Sequence, residues 1–421
     1  MKTQEYRLYP YRWVALAVFM FVNLMVQMLW ISYSPVTGVA AQFYHVSDLQ
    51  IGLLSMIFMI VFIPLSIPVS WVIDTYGFRK SVGAGALLMG VAAILRGLSG
   101  DNYTLVLIST IGIAVAQPFL MNSWTTLPAR WFEKEFRATA VGLVTLSSLL
   151  GIALGMVITP ALLNSGHTLP AMQTIYGAIA LFAAILFVVL SRDNPPTPPC
   201  KDGDEVRALV LDGLMSTVKN KMFWLLVFIQ FLGMAIFNGL TTWIEPIIRG
   251  RGFDSTIAGN LGALMLVGGV LGAVILPALS DKQHTRKRYL FVGVLTAVPF
   301  LLGVTFTHNL TVLYVCSFFL GFFLVSASPI ATQFAAEITF PTPEGTSNGL
   351  LQLFGQVSVV FVYLMEAMKT KNGSFTPSLI LSAVLLVACV GVISFLRDPV
   401  TLTKNPTETP SAPGADVPAE Q

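Results

Sequence analysis

Long apolar runs separated by short polar breaks fill the chain almost from end to end. A bilayer's hydrocarbon core, about 30 Å thick, takes roughly 20 residues of helix. Twelve runs meet that length: 13–36, 49–73, 81–98, 103–128, 136–163, 169–190, 222–248, 257–280, 288–307, 310–335, 345–368 and 375–396. The first has 24 residues, against roughly 7–15 for the core of a signal peptide, and no small-residue cleavage site follows it. It is expected to be a retained span. Outside the runs lie a polar N-terminus, a polar linker at 191–221 and a Pro-rich tail from Pro399 with nothing to bury, expected to be disordered. The expected layout is a six-helix bundle over 1–190, the linker 191–221, a second bundle over 222–398 and the tail 399–421.

Composition agrees with this pattern. Lys, Arg, Asp and Glu make up 11% of the chain, where a soluble domain carries about 25%. So little charge cannot coat a water-facing surface, and a soluble globular protein is excluded. The net charge of +3 is too small to suggest a nucleic-acid partner. Cys200, Cys316 and Cys389 lie far apart and show neither metal-ligand spacing nor a disulfide framework.

The basic residues that remain set the topology. With the N-terminus inside, nineteen Lys and Arg fall in inner segments and five in outer ones (Arg96, Arg249, Arg251, Lys369 and Lys371). This positive-inside bias places both termini in the cytoplasm of a multi-pass protein of the plasma or inner membrane.

An internal repeat underlies the twelve runs. Asp74-Thr-Tyr-Gly77-Phe-Arg79-Lys80 follows span 2, and Asp281-Lys-Gln-His284-Thr-Arg286-Lys287 follows span 8, at an offset of 207. The same offset carries Arg137-Ala-Thr139-Ala-Val-Gly142-Leu onto Glu344-Gly-Thr346-Ser-Asn-Gly349-Leu, and Gly52 onto Gly259. Two parallel six-span repeats are the signature of the major facilitator architecture. That is an all-α membrane fold of twelve transmembrane helices in two six-helix bundles related by pseudo-twofold symmetry. Two rigid bundles rocking about a central site imply solute transport.

The Asp-x-x-Gly-x-Arg-Lys pattern resembles the major facilitator loop motif, with Ser70 and Pro277 in place of its leading Gly in the two copies and His284 in place of the Gly of the second copy. An Asp at a helix C-terminus faces the negative end of the helix dipole and needs a partner. Asp74 and Asp281, with Gly77, Arg79, Lys80, Arg286 and Lys287, are therefore expected to latch the cytoplasmic faces of the two halves. Arg137, Glu337 and Glu344 join this gating set. Gly151-x-x-x-Gly155 and Gly268-x-x-x-Gly272 let helices approach closely. They are read as a sliding seam between the halves or as static packing.

Polar groups inside hydrocarbon are costly and are candidates for function. In span 1, Asn23, Gln27, Trp30 and Ser34 share one face at i, i+4, i+7, i+11 spacing, with Tyr33 nearby. Span 4 offers Gln117, Asn122 and Trp124; span 7 offers Gln230, Asn238, Thr241, Thr242, Trp243 and Glu245; spans 10 and 11 offer Gln333, Gln352, Gln356 and Tyr363. The expected solute-binding set is Gln27, Trp30, Tyr33, Gln117, Asn122, Asn238, Thr242, Glu245, Gln352 and Gln356. Trp30 and Tyr33 are read as a cation–π pair for an amine. Glu245 is read either as a cation or proton site or as the ion-pair partner of Arg249 one turn on. Gly38 stands 207 before Glu245, so the halves are chemically unequal there. An anion carrier would want Arg or Lys in the spans, and only Arg96 comes close, which favours neutral or cationic cargo.

Several stretches resemble the feline leukaemia virus subgroup C receptor family of haem and choline transporters. They are Trp30-Ile-Ser-Tyr33-Ser34 through Val46, Pro64 through Thr75, Arg130-Trp-Phe132, and Gly321-Phe-Phe through Pro341 with Glu344-Gly-Thr-Ser347-x-Gly349-Leu-Leu351. The resemblance implies the major facilitator fold and a central site for an amine or haem-like solute. It assigns a span 1 Trp to Trp30 and a span 11 Gln to Gln356, while its span 5 Gln falls on Leu149 and its span 7 Tyr on Asn238. Haem is disfavoured because His45, His167, His284 and His308 all lie in loops. Paired intraspan Asp, a His-Glu-x-x-His helix and a Ser/His pair are all missing from the sequence, so no enzyme is expected. The expected function is a secondary transporter of a small organic solute, preferably a choline-like amine. Export of haem or another organic solute and a non-transporting receptor are the alternatives. The protein is expected to act as a monomer in the lipid bilayer, with a small-molecule solute as its partner and no cofactor.

Overall fold

Twelve helical spans long and apolar enough to cross a membrane make up the computed structural model, which describes residues 8–197, 199, 217–283, 285–339 and 344–396. Most of the linker 191–221, the whole segment from Arg397 onward, Cys200, His284 and the side chain of Glu344 lie outside the described residues. The first half contains α1 (Tyr11–Ile31), α2 (Thr37–Tyr44), α3 (Asp48–Tyr76), α4 (Phe78–Leu98), α5 (Tyr103–Met121), α6 (Thr126–Trp131), α7 (Lys134–Asn164) and α8 (Leu169–Leu190). The second contains α9 (Lys221–Thr242), α10 (Ile244–Arg249), α11 (Ser255–Gln283), α12 (Arg286–Phe306), α13 (Leu310–Thr339), α14 (Glu344–Gln356), α15 (Val359–Ala367) and α16 (Thr376–Ser394).

Short polar breaks start and stop these helices in ways the sequence dictates. Ser47 and Gln50 form a reciprocal capping box at the start of α3, with bonds of 3.3 and 3.0 Å. Asn102, Thr168 and Asn220 cap α5, α8 and α9 through their side-chain oxygens. Gly77 alone joins α3 to α4 at φ +89°, a conformation that a side chain strains.

Within each half the helices pack closely through glycine. A Cβ on Gly151 or Gly155 of α7 would run into α1 at Leu24 and Met28, and one on Gly268 or Gly272 of α11 into α13 at Phe318 and Phe322. The two glycine stripes are therefore static packing inside their own halves. The glycines that touch the opposite half are others. Gly52 of α3 lies against the Trp243 indole, and Gly259 and Gly262 of α11 lie against Met156 of α7. Gly52 and Gly259 are the pair related by the 207-residue offset, so both copies of the repeat use the same position as a flat bearing on the other.

The halves meet at one end. Asn164 Nδ2 donates to Thr256 Oγ1 at 2.8 Å, Arg249 to Asp48 at 2.5 Å and Lys369 to Asp48 at 3.3 Å. These residues all sit at the end opposite the basic loops. Burial follows the same division. Along α3, eight residues between 48 and 62 are buried, against only Val69 and Ile73 beyond them.

At the basic end the described contacts of the motif residues run within a half, and a latch between the halves is not among them. Asp74 is exposed and forms no ion pair among the described residues. The acid that meets the first motif is Asp193, beyond α8. It accepts the Arg79 backbone N–H at 2.8 Å and pairs with Arg130 at 3.7 Å, placing a negative charge at the N-terminus of α4. The Arg79 guanidinium donates to the Val188 carbonyl, and Lys80 is exposed. In the second half Arg286 pairs with Asp281 and with Glu337 (2.8 Å), and Lys287 donates to the Ser394 carbonyl at 2.7 Å. Arg137 donates to the Phe132 carbonyl at 3.2 Å.

Candidate functional site

Four of the spans are broken. Pro35 has no N–H and its ring would clash with the Ile31 carbonyl, so α1 stops at Ile31 and resumes as a 3₁₀ turn and α2. Pro246 likewise cannot donate to Thr242, and α9 gives way to α10 at Trp243. The fourth span bends after Met121, between α5 and α6, and the eleventh after Gln356, between α14 and α15. Broken helices expose backbone and side-chain polar groups at membrane depth, where transporters place their sites.

The span carboxamides fall into two groups. One group holds the protein's own segments together. Asn23 donates to the Phe19 carbonyl and accepts from the Trp124 indole at 2.7 Å. Asn122 donates to the Ser66 carbonyl and Ser70 Oγ at 2.8 and 3.0 Å. Gln173 bonds Arg96 and Ser32, and Gln230 donates to Ser328. Asn122, expected to meet solute, is thus a tie between α5 and α3. The other group is unfilled. Gln27 and Gln117 are 8% and 5% exposed, and their Oε1 atoms are buried without a donor, as is Thr242 Oγ1. Gln352 and Gln356 make no side-chain hydrogen bonds among the described residues, and neither does the carbonyl oxygen of Asn238. A buried polar group without a partner costs about 1–3 kcal/mol, so such groups are kept where something else fills them.

One turn of α3 brings Trp30 of the first half and Asn238 of the second to the same place. The Trp30 indole N–H donates to the Ser55 carbonyl at 3.0 Å, and Ser55 Oγ returns a bond to the Trp30 carbonyl at 3.2 Å. One turn along, Met59 Sδ lies 3.6 Å from Asn238 Nδ2, which donates to Ser358 Oγ at 3.0 Å. Trp30 of the first half and Asn238 of the second therefore flank the same turn, with the break after Gln356 beside them. Ser55, Met59 and Ser358 are not marked in the sequence, because small or apolar residues in a span carry no signal until the fold brings them to a polar neighbour.

Tyr33 belongs elsewhere. It is 1% exposed, its hydroxyl lies 3.1 Å from that of Tyr44, and the Arg96 guanidinium stands over its ring at 5.5 Å. The break after Ile31 turns it away from the Trp30 face, so the expected aromatic pair is not formed. Arg96, also 1% exposed, donates to Gln173, to Ser32 and to the Leu29 carbonyl. It is a helix cap rather than a solute ligand, since its charge meets the carbonyl end of α1.

Glu245 serves the closure. Its carboxylate accepts the Gly38 N–H at 3.1 Å and lies 3.6 Å from Arg249. A Cβ on Gly38 would meet the Arg249 guanidinium, the far end of a long side chain that would have to shift. Beside it Lys369 joins Asp48 to Glu366. Three carboxylates here face two cations, which leaves one negative charge in excess. Below this cluster the Trp243 indole, its N–H on the Val362 carbonyl at 2.9 Å, fills the space over Gly52. Asp48 and Lys369 were missed in the sequence, where they read as ordinary loop charges; their pairing across the halves needs the fold.

Two halves whose described contacts run from one end as far as Met59 and Asn238, with unfilled polar groups in the spans, are the build of a solute carrier. The comparisons with known proteins agree. The sequence profile of the Major Facilitator Superfamily matches residues 17–282 and 249–419, and the chain belongs to that family. It is a multi-pass membrane transporter and not an enzyme. The choline/ethanolamine transporter flvcr2b of Danio rerio is 28% identical over 408 residues, covering 92% of this chain and 84% of that protein. Solute carrier family 49 member A3 of Xenopus tropicalis is 28% identical, over 89% and 81% of the two chains. The human choline/ethanolamine transporter FLVCR2 is 27% identical, over 94% and 79%. These relatives bear out the resemblance read from the motif stretches. Among solved structures, an inward-facing, unoccupied bacterial homologue of the human lysosomal transporter Spinster superposes with a TM-score of 0.77 over 91% of this chain and 96% of that one, at 16% identity. That likeness concerns the fold.

Proposed function

We propose that this protein carries a small organic cation of the choline or ethanolamine type across a cell membrane by alternating access. The observation that carries this reading is the unfilled hydrogen-bonding capacity of Gln27, Gln117 and Asn238, on spans whose Trp30 and Asn238 flank one turn of α3 between the halves. The Trp30 ring supplies an electron-rich face for a cation, and the excess carboxylate of the closed end adds a favourable field. The positive-inside bias puts the basic end and both termini in the cytoplasm. The state described is then closed to the outside. The motif residues Asp74, Arg79, Lys80, Asp281, Arg286 and Lys287 act as the inner gate when the halves rock the other way.

The test is uptake of labelled choline and ethanolamine by purified protein in liposomes. A desolvated cation–π contact is worth about 2 kcal/mol, or roughly thirtyfold in affinity. Trp30→Ala is expected to reduce uptake by at least that factor, and Trp30→Phe to retain more of it. Uptake at the parental rate in Trp30→Ala removes the ring from the site.

A further inference from the structure

We propose that this site selects a solute whose cationic nitrogen keeps its N–H bonds, a primary or secondary ammonium, over one whose nitrogen is fully alkylated. The inference rests on the reading of the chain as an organic-cation carrier. A quaternary ammonium has no hydrogen to donate, and proteins hold it with aromatic faces set around it as a cage. Among the described residues no other aromatic ring pairs with Trp30. Tyr33 is turned to Arg96 and Tyr44. Trp243 is spent on Gly52 and on Phe375, with ring centroids 5.7 Å apart. Trp124 is tied to Asn23, seven residues and hence about 10 Å along α1 from Trp30.

In place of a cage the neighbouring turns carry oxygen: Gln27 stands one turn before Trp30 on α1 and Thr242 one turn after Asn238 on α9. Gln27 Oε1, Gln117 Oε1 and Thr242 Oγ1 are buried without donors. Asn238 directs its amide hydrogens to Ser358 and Met59, which leaves its carbonyl free to accept. A primary ammonium alcohol brings three N–H donors and one O–H to these acceptors. Its trimethylated analogue brings the O–H alone and sets methyl groups against the rest. Sites built to hydrogen-bond a substrate reject analogues that leave their buried polar groups unpaired, by large factors.

The experiment is a thermal-shift titration of the purified full-length protein with 2-aminoethanol and its N-methyl, N,N-dimethyl and N,N,N-trimethyl derivatives, all cationic and all bearing the same hydroxyl. Apparent affinity is expected to fall stepwise, at least tenfold from the unmethylated to the trimethylated compound. In Gln27→Leu and Gln117→Leu, which keep the volume and lose the acceptor, that ratio is expected to collapse toward one. Because the ratio is taken within each variant, differences in yield do not affect it, and the unmodified protein alone already tests the order. Equal or reversed affinities across the series overturn the selectivity while leaving the carrier reading in place. An unchanged ratio in both variants overturns its assignment to these carboxamides. Failure of all four compounds to bind defeats the organic-cation reading itself, and the selectivity with it.

Discussion

Single residues show where a sequence pattern reads through to the site and where it does not. The i, i+4, i+7 spacing of Asn23, Gln27 and Trp30 identified a polar face that the structure retains, although Asn23 is spent inside its own half. The same reasoning failed at Tyr33, because helical periodicity ends where Pro35 breaks the helix. Arg96 shows a different limit. The sequence placed it near the outer end of span 3, and the structure makes it the donor that holds the broken end of α1. Replacing it by Met leaves the Leu29 carbonyl and Gln173 Oε1 short of a donor, at about 1–3 kcal/mol each. Arg96→Met is therefore expected to lower the melting temperature in detergent by several degrees. Arg96→Lys, a point charge without the fork, is expected to restore little of it. An unaltered melting curve would show that the cap contributes nothing.

At the scale of helices, the number, order and approximate limits of the spans were legible, because apolar length alone defines them. The breaks in spans 1 and 7 were not drawn, although Pro35 and Pro246 signal both; the break after Gln356 carries no such mark. Glycine patterns proved ambiguous in a definite way. A small-xxx-small stripe reports close approach and does not name the helix approached. Gly151, Gly155, Gly268 and Gly272 face their own halves, whereas the isolated Gly52 and Gly259 face the opposite one. The two classes should respond differently to a single methyl. Gly268→Ala forces a Cβ onto the α13 backbone and is expected to lower stability by a few kcal/mol, read as lost monodisperse protein. Gly52→Ala pushes only on Trp243 across the halves. It is expected to leave each bundle folded and to loosen the closed end, read as slower cross-linking of an Asn164→Cys/Thr256→Cys pair. Equal damage from both substitutions would erase the distinction.

For the molecule as a whole, the repeat and the twofold architecture were present in the sequence, since an offset of 207 recurs in separated segments. The conformational state was not. It depends on which of two sets of contacts is made, and the chain encodes both. Asp48 is the charge on which closure of the present state converges, accepting from Arg249 and Lys369 of the other half. Arg249 is 42% exposed at its side chain, so solvent screens the pair and its worth is about 1 kcal/mol. Asp48→Asn is therefore expected to shift the balance of states about fivefold. The 164/256 disulfide should then form correspondingly more slowly, an effect that added salt should mimic; an unchanged rate would leave the apolar contacts as the whole closure. Gly38 and Glu245 carry one more consequence. They occupy the same position in the two copies of the repeat, 207 residues apart, and they touch. In an object with twofold rotational symmetry, a point can meet its own image only on the rotation axis. That axis therefore passes between this amide and this carboxylate. On the carrier reading proposed above, cargo that travels along the axis crosses there, and the two repeat-related positions, one without a side chain and one with an acid, together form its plug.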